Sequence, residues 1–189
     1  QELESVKDYR GKAFKDKKLN KLSKRYIDDL KKCTSAAAAH DPYTDSEGFW
    51  EEFSAPYTDR LILLRELYTA DYKIGKSWDA HPEERDEVLF RGWLAGTASS
   101  IRFEKEESEK QADKYSAVLN NDSGFDIDYV NMDIELYDSK NKLIGIAEVY
   151  NENIKNGSSK KICFYHKGKN IASYRVSGAD GSIRRQSNQ

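Results

Sequence analysis

From Phe125 onward the apolar residues fall on every second position, and no other feature narrows the choice of folds as sharply. Val130, Met132, Ile134 and Leu136 alternate with Tyr129, Asn131, Asp133, Glu135 and Tyr137. Successive side chains of a strand point to opposite faces, so this spacing predicts a half-buried β-strand. Asp138-Ser139-Lys140-Asn141 reads as a turn, and Leu143 to Tyr150 returns as a second strand. Asn156-Gly157 is a further turn signal. Lys161 to His166 makes a third strand with Ile162 and Phe164 on one face, Gly168 breaks it, and Ile171 to Val176 makes a fourth. The polar tail after Gly178 is expected to fray. Short strands with regular turns predict a small antiparallel β-sandwich or open barrel, the sandwich being preferred.

Upstream of Asn120-Asn121-Asp122-Ser123-Gly124 the spacing is three and four instead. Leu19, Leu22, Tyr26, Leu30 and Cys33 share one helical face, with Leu3, Val6 and Tyr9 extending it across Gly11. The expectation is one long amphipathic helix that Pro42 closes. Ser46 opens a second helix with Phe49, Trp50 and Phe53, which Pro56 should kink or restart. Tyr57, Leu61, Leu64, Leu67 and Tyr68 form its apolar face, and Gly75 marks its exit. Asp79 or His81 caps a third helix that begins at Pro82. Its inward face runs through Val88, Leu89, Trp93, Leu94, Thr97, Ala98 and Ile101, and the helix is expected to continue toward Leu119. The fold class is therefore α+β: an N-terminal α-helical bundle or hairpin over 1–122, then a small antiparallel β-sandwich over 123–189.

Composition sets limits on function. Charged residues make up 34% of the 189 and hydrophobic ones 38%, so the cores should be modest and rich in the 22 aromatics. The net charge of −2 nominates no polyanionic partner for the chain as a whole. Locally, Lys7 to Lys32 holds eleven Lys or Arg against four Asp, whereas Glu83 to Asp113 holds nine acids against five bases. Lys17, Lys18, Lys21, Lys24 and Arg25 are thus candidate contacts for an anionic surface, weighed against a solvated face balanced by the acidic helix. No stretch reaches the ~18 apolar residues of a membrane span. The opening Gln1-Glu2-Leu3-Glu4, without Met, is compatible with a chain that has lost an export signal.

Catalytic signatures are sparse. His40, His81 and His166 lack a second His or Cys at ligand spacing, and His40-Asp41 followed by Asp45 reads as a helix-ending loop before it reads as a cation site. Cys33 and Cys163 read as two buried free thiols, weighed against a single bridge tying helix to sheet in an oxidising compartment. Gly92 and Gly96 are spaced for close helix packing. Acid pairs such as Glu51-Glu52 and Glu106-Glu107 suit surface helices. The expectation is a protein that is not an enzyme, with no cofactor and no metal. Tyr129, Tyr137, Tyr150 and Tyr165 are candidate ligand-facing aromatics on the sheet, with cross-strand packing as the plainer role.

Ile134-Glu135-Leu136-Tyr137-Asp138 followed by Leu143-Ile144-Gly145 resembles the FxLYD-type domain of Gram-positive surface lipoproteins, with Ile134 in place of Phe. Ile154-Lys155-Asn156-Gly157 is similar to that family's hydrophobic-Lys-Pro-Gly turn, and Ile171 to Val176 to its closing strand. The resemblance covers about 125–178. It implies a cell-surface β-sandwich in which Ile134, Leu136, Tyr137, Asp138 and Gly145 are structural. A lipid anchor would be implied only by a cysteine upstream of this chain. The function expected on this basis is non-catalytic binding in the cell envelope, extracellular or membrane-anchored. The partner would be a protein or an envelope component, not nucleic acid, with membrane association only through such an anchor. Two alternatives stand beside it: an intracellular adaptor that meets nucleic acid or an acidic partner through the basic first helix, and an enzyme with a carboxylate site between the domains.

Overall fold

The computed structural model describes residues 2–6, 13–69, 82–109, 112–168 and 170–184. It is an α+β chain, with helices first and two three-stranded antiparallel sheets after them. The helices are α1 (Glu2–Ser5), α2 (Lys17–Ala39), α3 (Ser46–Thr69) and α4 (Pro82–Ser100). The strands are β1 (Glu104–Glu109), β2 (Ala112–Asn120), β3 (Ile127–Tyr137), β4 (Leu143–Ile154), β5 (Ser159–His166) and β6 (Ser173–Ile183). The chain divides into two compact units, 1–92 and 93–189, with the cut inside α4.

In the first unit α2 and α3 form an antiparallel hairpin. Leu22 packs with Leu63 and Leu67, and Leu19 and Tyr26 lie against them. Near the middle of the hairpin Arg25 grips Asp59 with two contacts of 2.6 and 2.9 Å. The predicted α2 face holds: Leu22, Leu30 and Cys33 are buried. The single long helix does not. Helix α2 starts at Lys17 because Asp16 caps it, its carboxylate accepting the Leu19 N–H at 3.0 Å. Just ahead, Asn20 accepts the Phe14 N–H and holds the preceding residues out of the helix. Tyr9 and Gly11 lie outside the described residues, as do Gly75, Asp79, His81 and the side chain of Tyr68.

Helix α3 runs unbroken through Pro56. Phe49, Phe53 and Tyr57 stack along one face on either side of it, with ring centres 4.7 and 5.3 Å apart. That continuous aromatic ladder offsets the one hydrogen bond that the proline removes. Of the two spaced glycines, Gly92 alone is a packing glycine. A Cβ there would lie 2.5 Å from the Leu61 carbonyl oxygen, whereas one at Gly96 would meet nothing within 4 Å.

Beyond Ser100 the expected helix is replaced by strands. Ser99 and Ser100 both turn their hydroxyls back onto the Gly96 carbonyl in the last turn of the helix. Residues 104–109 and 112–120 form β1 and β2, and the turn cluster at 120–124 lies within the second unit. The charged residues that looked like a solvated helix face pair across strands, Glu106 opposite Lys114.

One sheet has the order β1-β2-β5 and the other β4-β3-β6. Val130, Met132, Ile134 and Leu136 are buried as their alternation predicts. Phe103 bridges the two sheets, with ring centres 5.2 Å from Phe164 on β5 and 5.9 Å from Tyr174 on β6. Asn156-Gly157 lies in the connection from β4 to β5, which belong to different sheets, so it turns the chain from one sheet to the other. Gly157 takes a φ of +75°, which suits glycine. The expected fraying after Gly178 is not found: β6 stays paired to β3 as far as Ile183 opposite Ile127.

Candidate functional site

The family-motif positions fall where a scaffold needs them. Ile134 and Leu136 are fully buried. Asp138 closes the turn to β4, its carboxylate accepting the Lys140 and Lys142 N–H groups at 2.9 and 3.0 Å. The β3–β4 register shifts between Leu136 opposite Gly145 and Tyr137 opposite Leu143, a bulge beside Gly145.

The four candidate tyrosines do not form one surface. Tyr129 and Tyr150 stack across β3 and β4, with ring centres 6.0 Å apart and planes at 21°. Tyr150 is 57% exposed, and the Tyr129 hydroxyl donates to Asp180 at 3.1 Å. Tyr137 donates to Glu135, which also takes the Arg175 guanidinium at 2.6 Å. Tyr165 is 63% exposed but sits on β5, in the other sheet. The packing role therefore accounts for Tyr129 and Tyr137, while Tyr150 and Tyr165 stay open to solvent.

Sequence spacing gave no sign of the cross-strand ion clusters, because each depends on a register that sequence does not print. Tyr137 and then Arg175 hold the Glu135 carboxyl below its usual range, and Glu135 in turn raises Tyr137. On the other sheet Glu106 meets Lys161, the Ser116 hydroxyl at 2.6 Å and Lys114 at 2.9 Å. Lys161 foremost, then Ser116 and Lys114, bring the Glu106 carboxyl down from 4.5 to about 2. A carboxyl whose folded value is depressed adds stability above its ordinary value and loses it on the way down. Glu106→Gln is thus expected to be less stable than the parent at neutral pH. The gap should close as pH falls from 4.5 to about 2. Melting temperature against pH reads this, and a gap unchanged across that window would contradict the assignment.

His40 closes the loop between α2 and α3. Its Nδ1 lies 2.6 Å from Asp45, and the hydrogen bond to Asp45 raises the imidazole above its ordinary value. Asp41 accepts the Tyr43 and Thr44 N–H groups, so this is a capped loop. Among the described residues no group of three His, Cys, Asp or Glu side chains is placed to hold a metal ion. Cys33 is buried and Cys163 half-buried, and both are free thiols.

The basic candidates separate into two kinds. Arg25 is committed to Asp59. Lys17, Lys18, Lys21 and Lys24 are exposed on the first two turns of α2, with no ion-pair partner among the described residues. Lys17, Lys21 and Lys24 share one face at spacings of four and three, with Lys18 beside it. The first turn of α2 contains no acid. A helix N-terminus carries about half a positive charge, so the two lysines of the first turn, Lys17 and Lys18, work against the helix itself. The Asp16 cap is the local compensation.

Compared with family models, curated proteins and solved structures, the chain gives no match.

Proposed function

We propose that this chain is a non-catalytic binding protein of the Gram-positive cell envelope. Its helical unit meets an anionic, phosphate-bearing wall polymer through Lys17, Lys18, Lys21 and Lys24. The observation that carries this reading is the lysine face: four exposed cations on the opening turns of α2, two of them, Lys17 and Lys18, in the first turn where the backbone dipole disfavours them. Local conflicts of this kind concentrate at functional sites. The envelope address rests on the FxLYD-like residues of β3, β4 and β6, and the β unit is a docking module. A flexible polyphosphate chain neutralised by four lysines releases its condensed counterions, so binding weakens steeply with salt.

The test is co-sedimentation of the purified chain with isolated cell walls, intact or stripped of their phosphate polymers. Affinity for intact walls is expected to fall roughly 50-fold between about 50 and 200 mM salt, as four phosphate contacts to a flexible strand imply. Replacing the four lysines with glutamine should abolish that slope. Arg25→Gln should leave it unchanged, since Asp59 already holds that guanidinium. Salt-insensitive binding, or equal binding to stripped walls, would overturn the proposal. Tight salt-dependent binding to duplex DNA with none to walls would bring the adaptor alternative forward.

A further inference from the structure

We propose that the free edge of β6 takes an extended, acidic segment of a partner protein as an added strand of the β4-β3-β6 sheet. Among the described residues, strand β6 is the last in its sheet and pairs with β3 on one side only. An unpaired edge presents a row of N–H and C=O groups, and natural edges are usually blunted by proline, lysine or a bulge. Residues 171–176 contain no proline and no lysine. The one register shift of β6 in this region comes after them, between Val176 opposite Ile134 and Gly178 opposite Asp133. Ala172, Ser173 and Arg175 are exposed.

A groove of about 690 Å³ runs along this edge, and all of its lining belongs to the β unit. Ile101 and Tyr115 are buried beneath it, and Tyr174 is held by its hydroxyl, which accepts the Phe103 N–H at 2.7 Å. Among the described residues the charge of the lining is one-sided: Arg102 and Arg175 stand along it and no carboxylate does. Arg102 rests against the carbonyls of Ser99 and Ile101, with the five donors of its guanidinium in a fixed fork. Arg175 leans onto β3 to Glu135, which draws its side chain away from the edge. Six extended residues span about 20 Å, so the occupant is a short strand that alternates apolar and acidic side chains. Its backbone pairs with β6, its apolar side faces Ile101 and Tyr115, and its acids face Arg102. The groove lies in one unit and the lysine face in the other, so failure of either leaves the other standing.

The probe is an acetylated, amidated hexapeptide of alternating valine and glutamate, titrated into the full isotope-labelled chain. Amide shifts are expected in 98–102 and 171–176, with the rest of the spectrum unmoved. Arg102→Glu should weaken binding about tenfold, the effect of one charge-assisted contact. The lysine counterpart of the peptide, and an analogue N-methylated at alternate residues, should give no shifts. Shifts elsewhere, or none at millimolar peptide, would overturn the proposal, as would undiminished binding of the N-methylated analogue. So would shifts of the same amides with protein concentration alone, which would make the edge a contact between two copies.

Discussion

Replacing Asn121 with alanine is expected to lower the stability of the β unit by about 3–5 kcal/mol, because a buried hydrogen-bonding hub is lost. Asn121 is 1% exposed. Its side-chain amide donates to the carbonyls of Phe125 and Ile154 at 2.9 and 3.0 Å, and its oxygen accepts the Ser123 N–H and hydroxyl at 3.2 and 2.7 Å. Its backbone also donates to the Ser158 carbonyl and accepts the Gly157 N–H. The residue thus ties the end of β2 to the connection that carries the chain from β4 to β5. Alanine keeps the backbone bonds but removes all four side-chain bonds, leaving the Phe125 carbonyl only the Ser123 hydroxyl at 3.2 Å and taking the side-chain partner from the Ile154 carbonyl and the Ser123 N–H. Asn121→Asp retains the acceptor and loses the donors, so it too should be strongly destabilising. Urea unfolding measures both. A cost below about 1 kcal/mol for the alanine variant, the scale of a single ordinary hydrogen bond, would contradict the hub.

Gly92→Val is expected to cost the helical unit about 3 kcal/mol, with overpacking as the main cause. The glycine lets α4 approach α3 so closely that an added Cβ would lie 2.5 Å from the Leu61 carbonyl oxygen and 3.0 Å from the Arg65 Cβ. The first of these neighbours is helical backbone, which cannot step aside as a flexible side chain would. Gly92→Ala weighs two effects against each other. Alanine gains up to about 1 kcal/mol in helix propensity, and the clash removes about 1–3 kcal/mol, so the net is a smaller loss. At Gly96, where a Cβ meets nothing within 4 Å, the same change to alanine should stabilise. Thermal unfolding of the two alanine variants, read side by side, gives opposite signs if the packing is as described.

Legibility in the sequence followed the range of the interaction. The apolar alternation of β3 and the stripe of α2 depend on neighbours a few residues apart, and both fall on buried faces. The boundary of α2 turned on the Asp16 cap, a local signal that the apolar stripe through Val6 and Tyr9 overrode. Strands β1 and β2 were hidden for a different reason. Glu104, Lys105 and Glu106 show no apolar alternation, and the ion pairs of the last two reach across the ladder, Lys105 with Asp113 and Glu106 with Lys114. The buried positions of β2 are Tyr115, Ser116, Ala117 and Leu119, whose mixture of sizes and polarity conceals the period. Asn121 looked like a turn-former and does sit beside a turn, but its burial needs Ile154, 33 residues away. The lysine face was visible as charge, and only the structure separates Arg25, held by Asp59, from the four open lysines. The β6 groove could not be read at all, since Ile101, Tyr115 and Tyr174 meet through the packing of two sheets.

The envelope reading stands or falls most directly on where the chain resides in its native host. Intact cells treated with protease, then fractionated and probed with an antibody to this chain, decide it. The account predicts that the signal is lost from intact cells and that the untreated protein follows the envelope. Protein that stays protected in the cytosol of intact cells, and is digested only after lysis, would contradict it.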